Sequence, residues 1–171
     1  MITVNEALSI INTHQKDFGT EQIPLTNAIG RVLKEALFTD RELPPYDRVT
    51  MDGIAIQYAH FANGQRVFPI VGIAPAGAAQ LTLEKEGHCL EVMTGSIMPK
   101  NVDTVIRYED VVIENDVATI QVATLRKGQN IHWQGSDRQK DSLVVPYGTV
   151  ISPAEVGVAA TVGKTHLKVA R

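Results

Sequence analysis

The chain has 171 residues, of which 44% are hydrophobic and 20% are charged, and its formal net charge is −3. These values are typical of a globular protein with at most two small domains, and they exclude a disordered chain or a coiled coil. The acidic balance argues against a nucleic-acid partner. A single cysteine, Cys89, excludes an internal disulfide and a cysteine-cluster zinc site, and no apolar stretch is long enough to span a bilayer. We therefore expect a cytoplasmic protein without a membrane partner.

The first predicted element is a helix. Thr3 and Glu6 form a capping box, and an apolar stripe follows that we expect to be buried, made of Val4, Ala7, Leu8 and Ile11. A second amphipathic helix is predicted in PLTNAIGRVLKEAL, from Pro24 to Leu37, although Gly30 weakens it.

The middle of the chain has the pattern of strands and turns. Short β-branched runs are interrupted by Gly, Pro, Asn and Asp in RVFPIVGIA, HCLEVM, DTVIRYEDVVI and VATIQVATL. Asn115 and Asp116 separate two runs and predict a hairpin. Pro69 indicates an edge strand or a bulge, because proline cannot donate to the ladder.

A third helix is predicted near the C-terminal end. Ser152, Pro153 and Glu155 supply a cap, a first-turn proline and a capping-box acid, and Gly163 is the expected stop. The whole pattern indicates an α+β fold that is mostly β. We expect a β-rich domain, residues 48–137, nested in a helix-containing linker domain made of residues 1–47 and 138–171.

Three short stretches are candidates for a site, and each also has a plain structural interpretation. Asp52-Gly53 is most simply a turn. The turn MTGS, Met93 to Ser96, could bind an oxyanion through its hydroxyl and amides or could only cap the backbone. GSDRQKD, Gly135 to Asp141, is typical of a solvated loop. No single stretch decides between these interpretations.

Standard catalytic signatures are absent from the sequence. The five histidines form neither an i, i+4 pair nor an HExxH motif, and there is no GxSxG, Walker or GxGxxG sequence. Cys89 lies in a strand-like run, where burial is expected to make its thiol inert. Trp133 could stack on a ring-shaped ligand or cover the edge of the core.

Six segments follow one another in a specific order and spacing: ITVNEALSII, GRVLKEAL, LPPYDRVTMDGIAI, VMTGSIMPKNVDTVIRYED, KGQNIHWQGSD and PYGTVISPAEVGVAATVG. Together they resemble the N-terminal half of the molybdopterin molybdenumtransferase family, which includes the bacterial MoeA proteins and the gephyrin E domain. The most specific parts are MDG after the LPPYD segment, MTG with a following proline and ED, and the GQNI and GSD pair. The resemblance covers essentially the whole chain.

The resemblance implies an enzyme of molybdenum cofactor biosynthesis that inserts molybdate into adenylylated molybdopterin with Mg²⁺ and releases AMP. Such a site needs oxygen ligands and hydrogen-bond donors, because it holds an oxyanion, a hard cation and a phosphoanhydride. By position, the resemblance implies Asp52, Thr94 and Asp137 as catalytic residues, with Asp52 and Asp137 as metal ligands. The implied substrate-binding residues are Arg48, Gly53, Gly95, Ser96 and His132.

The sequence departs from the family pattern at two places. The family usually reads D-N-S-A-M-D-G with an aromatic next, whereas Asp47-Arg48-Val49-Thr50 precedes Met51 here and Ile54 replaces the aromatic. The arginines of N-I-R-R-x-G-E-D are missing from NIHWQGSD, so bidentate phosphate contacts are lost, and Arg48 is a new cation near the same cleft. A second interpretation therefore stays open: a degenerate paralogue that acts as a non-catalytic binding or scaffold protein.

The family resemblance also implies further domains and a partner. A pterin-binding α/β domain and a small β domain would follow a segment like THLKVAR, and the cleft would be shared between the two chains of a homodimer. We therefore expect this chain to be inactive on its own. A stand-alone β-rich binding module is a third interpretation.

Overall fold

The computed structural model describes residues 2–171, which form two compact units. One unit comprises the chain up to Asp40 and again from Asp141 to Arg171, and the other comprises Arg41–Lys140. The second unit is wider than the domain of residues 48–137 expected from the sequence, by residues 41–47 at one end and residues 138–140 at the other. The reason is a backbone hydrogen bond of 2.9 Å from Leu43 to the carbonyl of Arg138, with further bonds alongside it.

The helices are α1 (Val4–Thr13), α2 (Tyr58–Ala62) and α3 (Pro153–Thr161), with 3₁₀ turns at Leu25–Asn27 and Tyr108–Asp110. The strands are β1 (Thr20–Pro24), β2 (Leu37–Phe38), β3 (Arg48–Val49), β4 (Gly53–Ile56), β5 (Val67–Ala74), β6 (Cys89–Val92), β7 (Thr104–Arg107), β8 (Val111–Glu114), β9 (Val117–Ile120), β10 (Ile131–His132), β11 (Leu143–Val145) and β12 (His166–Ala170). The protein is mostly β with few helices, as the sequence predicts.

The first unit is built on pairings between its two distant parts. β1 pairs antiparallel with β12, and β2 pairs antiparallel with β11. The predicted capping boxes of α1 and α3 are both present. A buried apolar cluster lies between these elements and consists of Ala28, Leu33, Leu37, Val145, Ile151, Ala159, Leu167 and Val169.

The prediction of a second helix in this unit is wrong. After the 3₁₀ turn, Gly30 has a φ of +81°, and the following residues are extended. Leu33 donates a backbone hydrogen bond to Thr149 at 2.8 Å, and Ile151 donates one to Arg31 at 2.9 Å. These long-range backbone bonds take the place of the helical ones, and Leu33 is fully buried in the core of this unit. Such tertiary pairing overrides the helical propensity of the segment.

The prediction that the apolar face of α1 is buried is also wrong. Val4 is 77% exposed, Leu8 is 51% exposed and Ile11 is 61% exposed. The helix has no buried residue. Its start is fixed by the capping box, not by packing within the unit.

The second unit is organised around a six-stranded sheet in the order β7-β4-β6-β5-β9-β8. β5 and β6 run parallel, and the other neighbours run antiparallel. Asn115 and Asp116 have φ values of 52° and 59°, which form the predicted hairpin between β8 and β9. Pro69 is not on an edge strand, since β5 pairs on both sides, but the pairing with β6 is irregular between Ile70 and Ile73.

Two apolar clusters stabilise this unit. One contains Phe61, Phe68 and Cys89 with the side chains of β4, β7 and β9 that face them. The other consists of Val49, Ala55, Ala74, Val92, Met98 and Val105. Val49 lies shortly before the bend that carries Asp52, and Val92 lies shortly before the turn that carries Thr94. Both valines belong to the second cluster, which thus anchors the two polar turns to the core.

Candidate functional site

A carboxylate and a threonine from two distant turns meet at the surface of the second unit. Asp52 lies in the bend before β4, and Thr94 follows β6. The Thr94 amide donates a hydrogen bond of 2.6 Å to Asp52 Oδ1, and the Thr94 hydroxyl donates one of 2.7 Å to the same oxygen. The backbone bond, followed by the side-chain bond, lowers the pKa of Asp52 below its ordinary value. Asp52 is therefore an exposed, ionised carboxylate held through one oxygen.

Gly53 fixes the position of Asp52 by close packing. It is the first residue of β4, paired with Arg107, and so is a strand residue and not the turn residue expected from the Asp-Gly pair. A Cβ at this position would lie 1.9 Å from the Ile106 carbonyl oxygen and 2.8 Å from the Arg107 Cα. Only glycine allows β4 to approach β7 this closely.

The amides of the turn from Met93 to Ser96 are occupied within the protein. Gly95 has a φ of +87°, as a tight turn requires. Its amide donates to the Val49 carbonyl at 2.9 Å, the Ser96 amide donates to the Met93 carbonyl at 2.9 Å, and the Thr94 amide is bound to Asp52. The Thr94 hydroxyl also donates its proton to Asp52, so these amides and this hydroxyl all serve acceptors within the protein.

Ser96 lies beneath this turn and not on its surface. The residue is 1% exposed. Its hydroxyl oxygen is buried without a hydrogen-bond partner among residues 2–171. Its proposed contact with substrate stays a prediction, and the burial gives it no support.

A second polar group joins β3 to the segment after β10. Arg48 and His132 are opposite each other in the antiparallel pairing of these strands. Arg48 Nη2 lies 3.1 Å from His132 Nδ1, and His132 Nε2 lies 2.8 Å from Asp137 Oδ1. Arg48 and Asp137 are exposed and His132 is half-buried, so the three residues form a hydrogen-bonded chain at the surface.

Several bonds hold the segment that carries Asp137. The Gln134 amide donates to Asp47 Oδ1 at 2.8 Å, and the Asp137 amide donates to the Leu43 carbonyl at 2.9 Å. Trp133, 47% exposed, packs against Gly128. Asp47 was not predicted as a site residue, although it lies within LPPYDRVTMDGIAI, one of the segments that resemble the family.

A cavity of about 290 Å³ connects residues of the two polar groups, and it is lined by Arg48, Val49, Thr50, Thr94 and Gly95. Thr50 was not predicted. The signal that could have found it is the alternation along an extended segment, because Arg48 and Thr50 are exposed while Val49 between them is buried. The cavity thus presents one guanidinium and two hydroxyls, beside the carboxylate of Asp52.

The carboxylate oxygens at this site are ligands of the type that a hard cation binds, but they are too few to coordinate one on their own. No group of three or more His, Cys, Asp or Glu residues that could hold a metal occurs in the described chain. Asp52 and Asp137 each accept their hydrogen bonds from the neighbouring Thr94 and His132 through Oδ1. Mg²⁺ often binds through one or two carboxylates together with water and substrate phosphates, so each of these carboxylates is of the chemical type that Mg²⁺ binds.

Two other expectations from the sequence concern the rest of the chain. Cys89 is fully buried, and burial raises the pKa of its thiol to about 12, which confirms an inert cysteine. Within residues 2–171, no helix is long and apolar enough to cross a membrane.

Comparisons with known proteins give one consistent result. A family profile described as the MoeA N-terminal region (domain I and II) matches residues 2–163. A molybdopterin molybdenumtransferase of Synechocystis is 35% identical over 170 residues, which are 99% of this chain and 44% of that protein. One of Staphylococcus aureus is 27% identical over 172 residues, which are 98% of this chain and 41% of that protein. The chain therefore spans less than half the length of these relatives.

The fold agrees with solved structures of the same kind. A molybdopterin biosynthesis MoeA protein of Pyrococcus horikoshii superposes with a TM-score of 0.88 at 29% identity, over 99% of this chain and 46% of that one. A second solved structure, also described as a molybdopterin biosynthesis MoeA protein of Pyrococcus horikoshii, superposes with a TM-score of 0.84 at 25% identity, over 100% of this chain and 44% of that one. The resemblance read from the motifs and the α+β fold class are both confirmed.

Proposed function

Because this chain belongs to the MoeA family by its N-terminal region, we propose that it is the N-terminal part of a molybdopterin molybdenumtransferase. The reaction we propose is insertion of molybdate into adenylylated molybdopterin with release of AMP. The observation that carries the proposal is the ionised carboxylate of Asp52, held by the Thr94 amide and hydroxyl beside a cavity lined by Arg48. The two motifs that supply these residues are 42 positions apart in the chain.

Mg²⁺ is the cofactor we propose for the carboxylate ligands of this site. Asp52 and Asp137 would hold it through carboxylate oxygens, and water and substrate oxygens would be its other ligands. When bound, the cation would neutralise negative charge on the phosphoanhydride. The lowered pKa of Asp52 keeps its carboxylate ionised at neutral pH, as a ligand must be.

The anionic substrates need donors, and Arg48 is the cation that lines the cavity. Its guanidinium presents five N–H groups, of which one is directed at His132, so the others can meet molybdate or phosphate oxygens. Thr50 lines the same cavity and adds a hydroxyl, whereas the Thr94 hydroxyl already donates its proton to Asp52. Arg48 thus supports an oxyanion site despite the arginines missing from Asn130–Asp137.

We further propose that the active protein is a cytoplasmic homodimer and that this chain alone does not complete the site. The exposed apolar face of α1 supports an interface, since a helix of ten residues with no buried side chain is marginal in water. Leu8 and Ile11 lie on that face. A stable interface needs about 1,000 Å² of buried surface or more, to which this helix would contribute only a part.

The test is AMP release from adenylylated molybdopterin by the full-length gene product, with molybdate and Mg²⁺ present. Asp52→Asn keeps the size of the side chain and removes its charge, so we expect release to fall at least tenfold. Asp116→Asn is the matched control, because Asp116 lies in the hairpin turn at a φ of 59°, which asparagine tolerates. Equal activity of Asp52→Asn and Asp116→Asn would refute the assignment of Asp52.

One observation favours a second candidate, the degenerate paralogue that binds a related ligand without turnover. Where the family has arginines after Asn130-Ile131, this chain has His132 and Trp133, and the neighbours of His132 are Arg48 and Asp137. Absence of AMP release from the folded full-length protein, together with retained binding of the adenylylated substrate, would support this candidate.

A further inference from the structure

Donor and acceptor roles in the chain from Arg48 to Asp137 can be assigned from chemistry. Arginine has only donors, so at 3.1 Å its Nη2 must donate to His132 Nδ1, which accepts. A neutral imidazole that accepts at Nδ1 carries its proton on Nε2. His132 Nε2 therefore donates to Asp137 Oδ1 across 2.8 Å. One arrangement of protons satisfies both contacts, and a proton on Nδ1 would face a guanidinium N–H.

We infer that Arg48 and His132 position Asp137, with the Nδ1 atom of His132 accepting from Arg48 and its Nε2–H donating to Asp137, and that His132 does not contact substrate. Both ring nitrogens are occupied within the protein, Nδ1 by Arg48 and Nε2 by Asp137. His132 is therefore a positioning residue and not the substrate-binding residue that the sequence suggested. The inference deepens the proposed function and rests on it only for the use made of Asp137.

The backbone around the three residues is ordered by pairing, which makes the chain a defined unit. Arg48 and His132 are opposite each other across β3 and β10. Asp137 is held by its amide on the Leu43 carbonyl at 2.9 Å. His132 can thus fix the orientation of the Asp137 carboxylate, with Oδ1 taken by the ring and Oδ2 directed elsewhere.

The consequence is that this chain uses Arg48 in two ways. One N–H group selects the tautomer of His132, and the remaining donors of the guanidinium line the cavity with Thr94. The family pattern places arginines after Asn130-Ile131, whereas here the cation is on β3 and the histidine lies between it and Asp137.

The test uses ¹⁵N NMR of histidine-labelled full-length protein at neutral pH. The His132 ring, identified by loss of its signals in His132→Gln, should show a protonated Nε2 and an unprotonated Nδ1 that accepts a hydrogen bond. Arg48→Leu removes the donor and should move the Nδ1 resonance toward that of an unbonded nitrogen. Arg48→Gln also removes the charge but keeps an N–H donor, so its Nδ1 resonance should stay closer to that of the unaltered protein.

Two results would overturn the inference. One is a neutral His132 ring that carries its proton on Nδ1 and not on Nε2 in the unaltered protein. The other is an Nδ1 resonance that Arg48→Leu leaves unchanged. The first result needs no variant, so the inference can be refuted even if a variant does not fold. These signals are measured without turnover, so their outcome is separate from that of the AMP-release assay.

Positioning of Asp137 is tested by a matched pair of substitutions at position 132. Glutamine has one acceptor and one donor and can serve both neighbours, whereas leucine can serve neither. Loss of a hydrogen-bond partner behind a metal ligand costs about 10–100-fold in metal affinity or activity. His132→Leu should raise the Mg²⁺ concentration needed for half-maximal AMP release by about tenfold or more, and His132→Gln should raise it less. Equal effects of the two substitutions would contradict the positioning role.

Discussion

Gly53→Ala should destabilise the second unit and displace Asp52 at the same time. The added Cβ would lie 1.9 Å from the Ile106 carbonyl oxygen and 2.8 Å from the Arg107 Cα, both backbone atoms of β7. Non-bonded atoms pack at about 3.5 Å, so β4 would have to move away from β7 by about 1.5 Å. That movement would break the pairing that begins at Gly53 and the contact of Asp52 with Thr94.

The size of the effect follows from these contacts. Overpacking costs about 1–3 kcal/mol, and each backbone hydrogen bond lost at the end of β4 adds about 1 kcal/mol. We expect the free energy of unfolding to fall by about 3–5 kcal/mol, a large share of the about 5–15 kcal/mol of an ordinary domain. Urea unfolding followed by the fluorescence of Trp133, the single tryptophan, reports on the unit that contains Gly53.

Gly72→Ala is the matched control, because Gly72 lies in β5 of the same sheet. The Cβ added there would meet only Leu90 Cδ2 at 3.3 Å, the end of a flexible side chain. Its effect should stay within about 1 kcal/mol. Equal unfolding free energies for Gly53→Ala and Gly72→Ala would refute the argument from close packing.

Three further predictions test separate features. Thr94→Val removes one of the two donors to Asp52 Oδ1 and should raise the pKa of Asp52 toward its ordinary value, measured by carboxyl ¹³C NMR. Because the folded-state pKa is lowered, the stabilisation by this carboxylate is present above the ordinary aspartate pKa and is lost as the pH falls through the folded-state value. Leu8→Asp should weaken self-association of the full-length protein in analytical ultracentrifugation, whereas Ser9→Asp on the same helix should not, and equal association of the two would contradict an interface at α1. Cys89 should react with a thiol reagent only after unfolding, since burial raises its pKa to about 12, and rapid labelling of the folded chain would contradict this.

Local signals predicted much of the fold. The capping boxes at Thr3 and Ser152 and the Asn115-Asp116 turn depend on neighbouring residues, and the structure confirms them. The segment from Pro24 to Leu37 was misassigned because its pattern is helical, while its backbone partners lie at residues 149–151 and 168–170. Local propensity gives way to such long-range pairing, and no sequence window contains both partners.

The candidate site was predictable in part. The motif order indicated Asp52 and Thr94, and the structure joins them through two hydrogen bonds. The contact of Arg48 with His132 could not be predicted, because it depends on the register of two short strands 84 positions apart. The occupied amides of the MTGS turn also required coordinates, since the sequence does not say which carbonyls they meet.

We propose that the site around Asp52 couples molybdate insertion to AMP release. The most direct measurement is a single turnover of full-length protein with adenylylated molybdopterin, molybdate and Mg²⁺, in which pterin-bound molybdenum and free AMP are both quantified. We expect the two products to form in equal amounts and both to be lost together in Asp52→Asn. AMP release without molybdenum insertion, or insertion that is unchanged in Asp52→Asn, would contradict it.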